Sequence, residues 1–200
     1  MKIYNVKSPE VSKWGFTLIE LLVVIAILAV LATATVLVLN PAELLKQGRD
    51  STRISDLAAL NGAVSLWVAD VLNGTWSNAY RCTATSTKPG GATGCTLNAN
   101  TSTTVSGTGS WVNLDFTLIA AGSPLSKLPM DPNNGSTGCS LGTPAMCQYA
   151  WAASSTLGVY ELDAQMESTK FKTSGSADVT SKDGGNDNNW YEVGSNLSQF

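Results

Sequence analysis

The sequence predicts an α+β protein, with a long N-terminal helix, apolar in its first half and amphipathic in its second, packed on a small antiparallel sheet. Three patterns carry that prediction. From Phe16 to Leu39 the only charged side chain is Glu20. Between Ile54 and Val71 apolar residues return at three- and four-residue steps, as they do on one face of a helix. Further on, "CQYAWAA" and "GVYELDAQME" alternate in the manner of two paired strands.

The elements follow in chain order. Residues 1–15 are a short basic leader, with Lys2, Lys7 and Lys13 against a lone Glu10. The apolar run at 16–39 would span ~36 Å as a helix, against ~30 Å of bilayer hydrocarbon. That exceeds the ~7–15 apolar residues of a cleaved secretory signal. The leader's lysines favour a cytoplasmic N-terminus, so the chain is expected to cross the membrane once and place its larger part outside. A carboxylate costs several kcal/mol at the bilayer core, so Glu20 needs a partner.

At "NPAE", residues 40–43, two signals meet. Pro41 has no N–H to offer the carbonyl of Leu37, which weakens a helix by ~3 kcal/mol. Asn at an N-cap, Pro next and Glu three on also mark a helix restart. Together they predict one long helix with a weak joint at Asn40 and Pro41. Its continuation, 40–72, carries a stripe of Ile54, Leu57, Leu60, Val64, Trp67 (or Val68) and Val71 towards the core. Lys46, Arg49, Asp50, Arg53, Asp56 and Asp70 fall mostly on other faces, and Asn73-Gly74 supplies a stop.

Residues 73–200 are expected to form a globular α+β domain facing outward. Within it, 81–111 read as a low-complexity loop that buries little, without a charged residue from Pro89 to Leu114. "LDFTLIAAG" suggests a short helix ending near Gly122, followed by a turn around Pro129 to Pro132. In the second strand Tyr160, Leu162, Ala164 and Met166 share one face, and Val159, Glu161, Asp163 and Gln165 the other. "NWYEVGS" adds a third strand.

All four cysteines lie in the outer part, where disulfides persist. Three pairings are open, and Cys82–Cys95 with Cys139–Cys147 closes the short loops that cost least entropy. A net charge of −3 gives no reason to expect nucleic acid as a partner. The chain has no histidine, which removes the commonest general base and metal ligand. No nucleophile elbow, phosphate loop or paired-carboxylate arrangement is present, so no enzymatic activity is expected.

"KWGFTLIELLVVIAILAVLA", residues 13–32, resembles the N-terminal signature of the type IV pilin superfamily, which comprises pilins and the pseudopilins of type II secretion and DNA uptake. The resemblance implies a pilin-like fold. It also implies that a prepilin peptidase cuts between Gly15 and Phe16 and methylates the new amine of Phe16. Glu20 would then pair with the amine of a neighbouring subunit during assembly, and helical spacing would set Phe16 and Glu20 ~6 Å apart along one face. Trp14 departs from the pattern, since a small or basic residue is more usual before the glycine. Further copies of the chain, the membrane, a cytoplasmic assembly ATPase and a platform protein are the other implied partners.

"LPMDP", the two strands and then "DGGNDNNW" resemble the major pseudopilins, which hold calcium in a loop near the C-terminus. Asp183, Asn186, Asp187 and Asn188 are the corresponding hard-oxygen candidates, although such clusters also simply form turns. No other cofactor is expected. The sequence therefore reads as the structural subunit of a pilus-like filament. A secretion or DNA-uptake pseudopilin is the alternative, and a membrane-anchored binding module that never polymerises is the second.

Overall fold

The computed structural model describes residues 15–71, 78–85, 100–107, 109–139 and 146–199. The chain is α+β and divides into two compact units, Met1–Pro41 and Ala42–Phe200. The first unit contains α1, Leu18–Leu39. Thr33 and Thr35 interrupt its apolar surface, but their hydroxyls donate to the carbonyls of Ala29 and Ala32 at 2.8 and 2.9 Å. Their donors are thus satisfied inside the helix, as an apolar environment requires. Leu18–Val36 is long and apolar enough to cross a membrane.

The expected single long helix is corrected. Asn40 caps α1 in the left-handed region, at φ 39° and ψ 71°, so the helix stops at Leu39. Asparagine tolerates this conformation better than most residues because its short side chain bonds locally. A new helix, α2, runs from Pro41 to Asp70. Pro41 stands at its first position, where a missing N–H costs nothing. The joint is therefore a full break between two helices. The stop expected at Asn73-Gly74 lies outside the described residues.

In the larger unit, α2 buries Leu57, Leu60, Ala63, Val64 and Trp67. These join one apolar cluster with Tyr149, Trp151, Tyr160 and Leu162 of a four-stranded antiparallel sheet. Its strands are β1 (Ala79–Cys82), β2 (Tyr149–Ser154), β3 (Val159–Ala164) and β4 (Tyr191–Gly194), in that spatial order. Trp151 stacks on Tyr160, with ring centroids 5.6 Å apart. The phenol of Tyr149 donates to Asp56 at 2.8 Å and that of Tyr160 to Asn61 at 2.7 Å, tying the sheet back to α2. β1 is an addition to the sequence reading; "AYRC" is too short to show an alternation.

Two further expectations change. The helix expected before Gly122 is only a 3₁₀ turn, Phe116–Leu118, capped by the Asp115 carboxylate. The 81–111 segment, read as burying little, ends inside the core. Trp111 is fully buried, packs 5.9 Å from Tyr149 and donates its indole N–H to the carbonyl of Pro129 at 3.1 Å. A single large aromatic anchors a stretch whose average composition is polar. Cys139 and Cys147 form a disulfide. Cys82 is also disulfide-bonded, while Cys95, its expected partner, lies outside the described residues.

The largest correction concerns Asp50 and Arg53. The sequence pattern gives them to solvent, yet both are fully buried and extend the apolar stripe towards the start of α2. Arg53 grips Asp131 with two parallel bonds of 2.7 and 2.8 Å, Asp50 at 2.7 Å and Glu167 at 2.6 Å. Asp50 in turn accepts the backbone N–H groups of Glu167 and Ser168 at 2.9 and 2.8 Å. Arg49 adds a further bond to Glu167 at 2.9 Å. Burial opposes ionisation of Glu167, but the hydrogen bonds from Arg49 and Arg53 outweigh it and hold its carboxyl below the usual range.

Replacing Arg53 by Met leaves Asp50, Asp131 and Glu167 buried without their cation. The expected loss is about 3–5 kcal/mol in denaturant unfolding of the full chain in detergent. A loss below about 1 kcal/mol would mean that water reaches these carboxylates. The same network sets a pH dependence. Because the folded-state pKa of Glu167 is depressed, its contribution is complete above the ordinary value of 4.5 and disappears as pH falls through the folded value. Thermal melts between pH 7 and 3 should show this loss setting in below about pH 4.5, and Glu167→Gln should flatten that part of the curve.

Candidate processing and assembly site

Gly15 and Phe16 stand exposed ahead of α1, and a Cβ at Gly15 would meet open space. The rest of the expected leader, residues 1–14, lies outside the described residues. Thr17 is the N-cap, extended at φ −84° and ψ 152°. Its hydroxyl accepts the N–H of Glu20 at 3.3 Å. The Glu20 carboxylate accepts both the N–H and the O–H of Thr17, each at 2.8 Å. This is a reciprocal capping box, which satisfies two donors at the helix start and sets a negative charge at the positive end of the helix dipole.

The expectation that Phe16 and Glu20 share one helical face is corrected, because the helix begins at Leu18 and Phe16 precedes it. The residue that sequence reading passed over is Thr17. Its signal was present in "TLIE", a Thr-x-x-Glu immediately ahead of an apolar run. Within the single chain, Glu20 is held by neutral donors on a freely accessible helix end.

The calcium candidates sit on the loop before β4. Asp183 accepts the N–H groups of Gly185 and Glu192 at 3.0 and 2.9 Å. Asp187 accepts the backbone and side-chain N–H groups of Asn189 at 3.0 and 2.7 Å. The Asn188 carbonyl takes the hydroxyl of Thr173, and the Asn186 and Asn188 side chains are exposed. These bonds are the self-capping of a tight turn.

Unpartnered oxygens lie instead on the sheet face turned away from α2. Glu161, Asp163 and Glu192 are all buried there, and one oxygen from each falls within 4.8 Å of the other two. Neither oxygen of Asp163 has a hydrogen-bond partner, nor has one oxygen of Glu192. Asp163 and Glu192 are direct cross-strand neighbours, a placement that like charges disfavour. Burial, followed by the nearby charges of Glu161 and Glu192, pushes the Asp163 carboxyl well above the usual range. Glu192 is pushed up to about 8, first by burial and then by its hydrogen bond with Glu161. The sequence pattern puts Glu161 and Asp163 on one face of their strand but gives no sign that Glu192, from a strand far along the chain, meets them there. A second acidic and sulfur group, Cys139, Cys147 and Glu167, has its sulfurs already bonded to each other.

Residues 15–36 match the family model of the prokaryotic N-terminal methylation motif, the type IV pilin and pseudopilin signature. The match spans Gly15, Phe16, the capping box and most of α1. The motif is the one carried by type IV pilin-like and pseudopilin proteins, a structural class, and with the apolar helix it is consistent with a membrane-anchored chain. No curated protein and no solved structure matches the chain.

Proposed function

We propose that the chain is the precursor of a structural subunit of a type IV pilus-like filament. A prepilin peptidase cuts between Gly15 and Phe16 and methylates the Phe16 amine. The mature subunit then polymerises through the apolar helix, with residues beyond the joint displayed outside the cell. The observation that supports this most is the coincidence of the methylation motif with an exposed helix long enough to cross a membrane.

In this reading Glu20 has two successive partners. While the subunit waits in the membrane, the capping box with Thr17 satisfies the carboxylate. During assembly the cationic amine of a neighbouring Phe16 replaces those neutral donors, and a charge-assisted bond in an apolar setting is the stronger one. Cleavage is then a licensing step, because an uncut chain has no amine at Phe16. The lysines of the leader would also resist leaving the cytoplasmic face. An assembly ATPase and a platform protein supply the energy and the scaffold. A pseudopilus of a secretion or uptake system would use the same chemistry, and the "LPMDP" segment favours that use.

Protein sheared from cells should begin at N-methylated Phe16 and sediment with filaments, as read by intact mass and N-terminal sequencing. Gly15→Leu should leave a chain beginning at Met1, confined to the membrane and without filaments. Glu20→Ala should still be cut, but filament yield should fall about tenfold or more, because an unpaired buried amine costs several kcal/mol. Normal filaments from Glu20→Ala would remove the charge-pairing mechanism. Normal function without any filament would return the chain to an anchored binding module.

A further inference from the structure

We propose that Glu161, Asp163 and Glu192 hold one calcium ion between β3 and β4, beneath the loop at 183–187 and not within it. Three observations converge on this. First, Asp163 is fully buried and both of its oxygens lack any hydrogen-bond partner, although the backbone and side chains around it are closely packed. A buried carboxylate in that state needs a cation or a proton. No lysine or arginine among the described residues forms an ion pair with Asp163 or Glu192.

Second, the spacing fits calcium. Calcium takes oxygen ligands at ~2.3–2.6 Å, so oxygens on opposite sides of the ion are ~5 Å apart. One oxygen from each member of the trio lies within 4.8 Å of the other two. Magnesium requires a tighter octahedron and retains its waters, while zinc prefers nitrogen and sulfur ligands that this face does not offer. Each member offers one carboxylate oxygen to the ion, and Asp163 offers both of its own. The backbone N–H of Asp187, at 3.2 Å from Glu192, and that of Gln199, at 2.5 Å from Glu161, help to balance the third negative charge.

Third, small residues surround the trio and let the neighbouring backbone close over it. Ala150 and Ala152 of β2 stand opposite Asp163 and Glu161, and Gly194 of β4 stands opposite Glu161. Gly185 packs directly on the Glu192 carboxylate, so that any side chain there would collide with it. A groove of about 450 Å³, lined by Asp178, Lys182, Asp183 and Glu192 among others, opens beside the trio and gives an ion a route from solvent. Asp183 and Asp187 fold the loop that closes this face, and their own oxygens are committed to doing so.

The test uses the full chain in detergent, stripped with a chelator and titrated with calcium chloride. Calorimetry should give one ion per chain. Thermal unfolding should rise by about 5–10 °C at a hundredfold excess over Kd. Asp163→Asn keeps the size of the side chain and removes a buried charge, so in chelator it should melt no lower than the unsubstituted chain. It should show no response to calcium. Asp187→Asn retains the turn-capping oxygen and should respond normally. Indifference of the unsubstituted chain to calcium would mean that the trio holds protons, and would overturn the proposal. So would a normal response from Asp163→Asn, or loss of the response in Asp187→Asn alone, which would place the ion in the loop.

Discussion

The larger unit depends on one buried guanidinium. Arg53 holds three carboxylates from three parts of the chain: Asp50 on its own helix, Asp131 after the Pro129 turn and Glu167 just beyond β3. Two of these partners are 78 and 114 residues away in sequence. Their convergence fixes where α2 lies along the sheet and where the chain leaves β3. Hydrophobic contact is less directional: Leu57, Leu60 and Val64 join the core through buried area, without bonds of fixed geometry. Directional bonds to a planar, forked cation cannot slide.

The chain places carboxylates in costly positions three times and compensates each differently. At Asp50, Asp131 and Glu167 the compensation is a permanent cation, Arg53, and the result is a fixed junction. At Glu20 it is a pair of neutral donors from Thr17, which suffice for one chain and can be replaced. At Asp163 and Glu192 no side-chain cation among the described residues is paired with them. The three cases order themselves by exchangeability. A junction that must not move has its countercharge built in, whereas a site with an exchangeable partner leaves room for one from elsewhere.

What was legible in the sequence follows from the range of each interaction. The α1 segment, the stripe on α2 and the core face of β3 repeat within a turn or a pleat, so local patterns reveal them. The methylation signature is also local, as is the Thr-x-x-Glu of the capping box. Burial of Asp50 and Arg53 is not local, because a charged residue on a helix looks solvated until its distant partners are known. The same holds for Glu161 and Asp163. Alternation placed them opposite Tyr160 and Leu162, which is right, but only the path of the chain after Ser168 shows that this opposite face is covered. β1 escaped notice because its four residues pair with a strand far along the chain.

Two kinds of contact divide α2 between them. Polar contacts crowd its first half, where Glu43 accepts two bonds from Thr169, Arg49 holds Glu167 and Arg53 holds Asp131. Apolar contacts fill its second half, from Leu57 to Trp67. The helix is therefore fastened close to its start by directional bonds and further along by area.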